Sequence, residues 1–177
     1  MDQMRTFLTE ENILLHKEYM RTLRLRHSIM EKSTPEIRNK SITDIEKMRL
    51  PSSVKDEILP NYREFLAHEL YFKSFSSGKL YADVVKKYYS SVEAFLYEIY
   101  LVALSKSSGF IFIFLDERDK ITILHSDDVR RIKLSPKLAI DVSEHAYFLD
   151  YRFEKDKYIR SAISNLNLSM LDNTEKK

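Results

Sequence analysis

Four side chains in this sequence carry donor atoms that could share one metal ion: His16, His68, Asp141 and His145. Taken singly, a histidine on an apolar helix face is more often a core residue hydrogen-bonded to a carbonyl than a ligand. The set argues otherwise. His16 sits in the run Ile13, His16, Met20, Leu23, His27, Met30, and His68 in the run Asn61, Phe65, His68, Phe72, Phe75. Both runs advance by threes and fours, the period of one helix face. Packing the two stripes together therefore brings two imidazoles into one dry interior. Asp141 ends a strand-like apolar run, and His145 follows four residues later. A buried carboxylate is costly unless it is paired or metal-bound. Three imidazoles and one carboxylate suit iron, manganese or zinc, and ligand type alone does not separate these.

The rest of the composition narrows the chemistry. The 177-residue chain is 44% apolar, enough for a real core. With 29 basic and 27 acidic residues its net charge is +2, which argues against a nucleic-acid groove. There is no cysteine, which excludes disulfides, thiolate metal sites, iron–sulfur clusters and thiol nucleophiles. The first residues carry three acids and lack both a secretory apolar run and a transit-peptide pattern. The longest apolar stretch, Gly109 to Leu115, is too short to span a bilayer. The expectation is a soluble cytoplasmic protein with no nucleic-acid or membrane partner.

The elements that must position the four residues can be read from the same periodicities. A long helix is predicted from Thr9, its N-cap, to Met30, with Glu10 and Glu11 in the first turn. A polar connection, Glu31 to Thr43, leads to a short helical segment before Leu50-Pro51. A second long helix runs from Ser52 or Ser53 toward Phe75, with Pro60 expected to kink or restart it. Ser76-Ser77-Gly78 ends that helix and marks the predicted boundary between a helical hairpin domain, 1–78, and an α/β domain, 79–177. Beyond it a helix is predicted over Ser91 to Leu104. Strands follow at Phe110 to Leu115 and Ile121 to Leu124, joined by the turn Asp116 to Asp119. A third strand at Leu138 to Val142, a final helix from Lys155 to Leu171 and a frayed Asn-Thr-Glu-Lys-Lys tail complete the chain. The fold class is α+β, with a small antiparallel sheet.

One segment is more specific than any periodicity. Ile140-Asp141-Val142-Ser143-Glu144-His145-Ala146-Tyr147-Phe148-Leu149-Asp150-Tyr151 resembles the iron/manganese superoxide dismutase signature Asp-Val-Trp-Glu-His-Ala-Tyr-Tyr with Leu-Asp-Tyr after it. Supporting matches fall in the family's order. They are His16 on the first helix, Leu50-Pro51, Ala67-His68-Glu69-Leu70-Tyr71-Phe72, Gly109-Phe110-Ile111-Phe112 and Tyr158-Ile159. The resemblance spans roughly residues 8 to 172. It implies one iron or manganese ion per subunit on His16, His68, Asp141 and His145, an oxidoreductase and antioxidant activity, and superoxide as substrate. It also implies a homodimer in which Glu144 reaches the partner's metal-bound histidine and fixes its ring.

The sequence also departs from the family, and the departures fall around the site. The family's tyrosine at the funnel mouth falls at Arg24, and its outer histidine at Met20. The signature tryptophan is Ser143, two further tryptophans are Phe110 and Phe112, and the second signature tyrosine is Phe148. The glutamine that bonds the solvent ligand in the family is matched, on this reading, within His125 to Asp127. Lys155 stands where the family has a funnel arginine. The resemblance thus assigns Arg24, His125, Asp127 and Lys155 to the reaction. The alternatives are a metal-binding relative with little dismutase activity, in a redox or protein-interaction role, and a metal-free scaffold.

Overall fold

The computed structural model describes residues 3–79, 81–129 and 135–172. The first long helix, α1 (Glu10–Ser33), starts where its cap dictates, because the Thr9 hydroxyl accepts the Asn12 N–H. It runs three residues past the expected Met30. A 3-10 turn, Pro35–Ile37, leads to α2 (Ile42–Lys47), which begins in a reciprocal Ser41–Asp44 capping box. The second long helix, α3 (Ser52–Ser74), is one unbroken element with Pro60 inside it, so the expected restart there does not occur. It packs against α1.

Two short helices, α4 (Val85–Tyr88) and α5 (Val92–Leu104), precede the sheet. Its strands are β1 (Phe110–Leu115), β2 (Ile121–His125) and β3 (Pro136–Asp141), antiparallel in the order β2-β1-β3. All six residues of the central strand β1 are buried, which explains its continuous apolar run. β3 ends at Asp141, in register with Phe110. Helices α6 (Glu144–Tyr151) and α7 (Lys155–Ile163) follow.

The single helix expected from Lys155 to Leu171 is divided, since α7 stops at Ile163 and a 3-10 turn covers Leu168–Leu171. The break has a cause. The Asn167 N–H donates to the Ser74 carbonyl at 2.8 Å and its side-chain amide to Ser76 Oγ at 3.0 Å, drawing the chain back to the end of α3. Gly78 makes room for this, as a Cβ there would lie 1.7 Å from Asn167 Oδ1. The tail predicted to fray, 173–177, lies outside the described residues.

One apolar core joins both sides of Ser76-Ser77-Gly78. Met4, Phe7, Ile13, Tyr71 and Phe75 share it with Phe95, Ile99, β1, β3, Tyr158 and Leu168. A second, smaller core of Ile37, Ile45 and Ile58 sits among the far end of α1, α2 and α3. Among the described residues no helix is long and apolar enough to cross a membrane.

Candidate metal centre

The site is assembled from four elements. α1 brings His16, α3 brings His68, the end of β3 brings Asp141, and the first turn of α6 brings His145. The start of α1 is held against α6 by Asp150. Its carboxylate accepts the Thr9 N–H at 2.9 Å, the Thr9 hydroxyl at 2.6 Å and the Asn12 amide at 3.0 Å. The Tyr151 hydroxyl adds a bond to the Phe7 carbonyl. The signature segment therefore fixes where His16 stands relative to His145.

One ligand atom from each of the four residues lies within 4.8 Å of the other three. Asp141 Oδ2 is 2.9 Å from His145 Nε2, 3.4 Å from His16 Nε2 and 3.6 Å from His68 Nε2. His68 Nε2 and His145 Nε2 are 3.4 Å apart. Atoms that share one first-row ion at bonds of about 2.0–2.2 Å stand about 3–4 Å from one another. The spacing fits.

Each donor is aimed by a neighbour. His68 Nδ1 donates to the Glu64 carbonyl at 2.8 Å, which leaves the Nε2 lone pair facing the cluster. Asp141 Oδ1 accepts the Ser143 N–H at 2.9 Å, so Oδ2 is the oxygen turned inward. The Tyr158 hydroxyl donates to the Asp141 carbonyl at 2.7 Å. Tyr71 and Phe72 pack on the His16 ring, and Phe110 meets His68 edge-on.

Two of the four residues keep inward atoms without hydrogen bonds. Both His16 nitrogens and Asp141 Oδ2 are buried and have no partner of acceptable geometry. Burying such groups unsatisfied is costly, the more so for a charge. A cation bound between them would remove that cost, and the donor set therefore fits a metal. Electrostatics agree. Burial opposes ionisation of Asp141, yet the His145 and His16 rings beside it hold the carboxyl well below the usual range. Burial favours neutral His68, the ligating form. At His145 burial acts in the same direction but is outweighed by Asp141, and its pKa is raised.

The other residues singled out by the resemblance contribute no donor atom to the cluster. Arg24 is exposed and lines an open groove of about 640 Å³ with Lys17, Met20, Arg21, Phe72, Ser76 and Ser77. None of these is a member of the cluster. His125 Nε2 hydrogen-bonds the Ser108 carbonyl at 2.7 Å beneath Gly109. Gly109 has φ +89°, and a Cβ there would meet His125 Nε2 at 2.7 Å. His125 is thus a brace for the entry to β1. The Asp127 side chain is 82% exposed and faces His125 Nδ1 at 3.3 Å. Lys155 Nζ donates to the Lys106 and Ser107 carbonyls at 2.6 and 3.2 Å, and burial lowers its pKa. Ser143 Oγ, where the signature has a tryptophan, accepts the Gly109 N–H at 2.9 Å. Phe148 packs against Phe153.

Two residues at the cluster were not anticipated. The Tyr19 ring lies 5.3 Å from that of His68 and 5.2 Å from that of His145, and its hydroxyl donates to Glu64 at 2.5 Å. Their signal was spacing. Tyr19 is three residues beyond His16 and Glu64 four before His68, each on its ligand's own helix face.

A helical pair packed on an α/β half, with three imidazoles and one carboxylate meeting between them, forms a candidate site for a single metal ion. Residues 76–174, more than half of the chain, match the model of the iron/manganese superoxide dismutase C-terminal domain. The chain belongs to that family, as a divergent member. It is 30% identical over 114 residues to a protein of Bacteroides fragilis (strain YCH46) named superoxide dismutase [Fe]. That alignment covers 58% of this chain and 58% of the relative.

Proposed function

We propose that this chain is a cytoplasmic, homodimeric superoxide dismutase with one iron or manganese ion per subunit on His16, His68, Asp141 and His145. The observation that carries the reading is the convergence of four donor atoms, of which the buried His16 Nε2 and Asp141 Oδ2 have no hydrogen-bond partner. Bound there, the metal would cycle between its trivalent and divalent states, so that two superoxide ions and two protons give dioxygen and hydrogen peroxide.

The protein's own part is to hold and aim. Asp141, held ionised, favours the higher oxidation state, and the neutral imidazole of His68 keeps the lower one accessible. The Glu64 carbonyl and the Ser143 N–H fix the orientation of His68 and Asp141 before any ligand arrives. Lys17, Arg21 and Arg24 line the groove that shares Phe72 with His16. Their field favours an anionic substrate. Glu144 and His145 are exposed on the first turn of α6, beside the exposed Phe148 and Phe153. That surface supports a twofold contact in which Glu144 reaches the partner's His145.

A second reading has its own observation. No titratable side chain replaces the family's outer histidine and second signature tyrosine at Met20 and Phe148, and His125 is committed to Ser108. This favours a metal-binding relative with little dismutase activity. Elemental analysis with a dismutase assay decides. Iron or manganese near one per subunit with activity supports the first reading, metal without activity the second, and no uptake after refolding with either metal overturns both.

A further inference from the structure

Helix α5 carries apolar side chains on both of its faces, and Glu93 and Glu98 are its only charged residues. One face, with Phe95, Ile99 and Ala103, is buried in the main core. The opposite face presents Tyr97, Leu101 and Leu104, which are 58%, 48% and 42% exposed, and the half-buried Ala94 completes the row. A helix that is apolar all round is normally covered all round. The row 94, 97, 101, 104 advances by three, four and three, the step of a seam between two packed helices. It supplies nothing to the metal cluster and lies on a different element from Glu144.

We propose that this row is a self-association surface whose partner is the α5 of a second copy of the chain, packed antiparallel about a twofold axis midway between Tyr97 and Leu101. The spacing reads the same from either end, as a twofold contact requires, because residue i that meets j must also be met by it. Reversal pairs Ala94 with the partner's Leu104 and Tyr97 with the partner's Leu101, so the small side chain at each end faces a large one. A parallel pair would set Ala94 against the partner's Ala94 and Glu93 against the partner's Glu93, leaving a gap and a repulsion. Antiparallel packing also aligns the two helix dipoles favourably. Glu98, next to the axis, is engaged by the Tyr89 hydroxyl of its own chain. The thirteen residues of α5 span about 20 Å. The contact is therefore small, and association is expected on the order of 10 µM rather than obligate.

The surface does not rest on the metal-site reading, and its test needs no metal. The chain has no cysteine, so an introduced thiol reports the pairing without background. Ala94→Cys and Leu104→Cys proteins, mixed and treated with a short bismaleimide, are expected to cross-link between the two introduced thiols, as located by peptide mass spectrometry. Each variant alone gives about a tenth as much, because its own two thiols stand about 15 Å apart along an antiparallel seam. Sedimentation velocity between low and high micromolar concentration is expected to show the wild-type mass rising towards twice its dilute value. Leu101→Glu puts a carboxylate into the seam and weakens that association about 100-fold. Leu101 lies outside the buried core, and circular dichroism checks that the variant is folded. A mass independent of concentration, with no cross-link in the mixture, overturns the second copy as the occupant and leaves the row to a different protein. Cross-linking of Ala94→Cys with itself as strongly as in the mixture overturns the antiparallel arrangement. Loss of the concentration dependence in Glu144→Ala but not in Leu101→Glu assigns the association to the α6 contact and overturns this one.

Discussion

His16 and His27 lie on the same helix, eleven residues and close to three full turns apart, so both face α3. Their fates differ. His27 stacks flat on Tyr62, with ring centroids 4.2 Å apart and planes 16° apart, and its Nε2 is 3.8 Å from Glu31. Its Nδ1 is buried without a partner, but nothing in the small core of Ile37, Ile45 and Ile58 offers a second ligand. His16 also has orphaned nitrogens, and they face a carboxylate and two more imidazoles. The helix pair supplies an apolar stripe with a histidine in it twice. What converts one of the two into a candidate metal centre is the delivery of Asp141 from the end of β3 and of His145 from the first turn of α6.

The widest separation between the two regions is expected in metal retention. Asp141→Ala removes the acceptor that lies within reach of all three imidazoles, and metal affinity should fall by on the order of 100-fold or more, beyond the effect of supporting residues. His27→Phe should leave metal content unchanged. Metal per subunit after dialysis against iron or manganese measures both. Loss of metal from His27→Phe would mean that the distal core and the site are one cooperative unit, and the comparison would break.

The comparison also shows what sequence could reveal. The four donors were legible because Asp141 and His145 sit in a dense motif and His16 and His68 in stripes of clear period. Thr9 as N-cap, the three strands and the α+β class were legible for the same reason, since local chemistry decides them. Arg24 was not. Eight residues along a helix amount to about 80° of rotation from His16, while Tyr19, three residues on, lies about 60° the other way. The cluster opens on the Tyr19 side, and only the packing of α1 on α3 and α6 fixes which side that is. His125 was misplaced because its role depends on the space left by a glycine remote in sequence. The break after Ile163 depends on bonds from Asn167 to Ser74 and Ser76, which no local pattern announces.

On the site side, stability should be more sensitive to Lys155 than its half-exposed position suggests. Lys155→Met removes a charged donor from two carbonyls of the segment entering β1, a loss of about 2 kcal/mol by the usual worth of such bonds. At this chain length that lowers Tm by about 4–8 °C. A calorimetric scan checks it. If the steering role implied by the family held, the variant would instead keep its Tm and lose the ionic-strength dependence of its activity.

At the distal end, His27→Ala forfeits the stack on Tyr62 and should cost about 1 kcal/mol, visible as a shift of about 2–4 °C in Tm with metal content intact. A larger loss, or any loss of metal, would show that the small core props up the site.

The smallest effect belongs to α2. Asp44 accepts the Ser41 N–H at 3.2 Å and the Ser41 hydroxyl at 2.6 Å, while Ser41 Oγ accepts the Asp44 N–H at 3.1 Å. The Ser41 hydroxyl and N–H stabilise the ionised carboxylate, so its pKa is lowered from 3.8. The sign follows from linkage. A carboxyl with a depressed folded pKa contributes stability that is fully present above the unfolded value and is lost as pH falls through the folded one. The window therefore opens below about pH 4, under the ordinary aspartate value. Because Asp44 is exposed, the effect is local to the cap. NMR titration of the Asp44 carboxyl should give a value below 3.8 in the wild type and a return toward the ordinary range in Ser41→Ala. The same variant loses the N-cap, at about 1 kcal/mol, and keeps its metal. An unshifted Asp44 in the wild type would mean that the box is not held in solution. α2 would then depend on Ile45 in the small core alone, and the distal region would be still more sharply divided from a site held by reciprocal polar bonds.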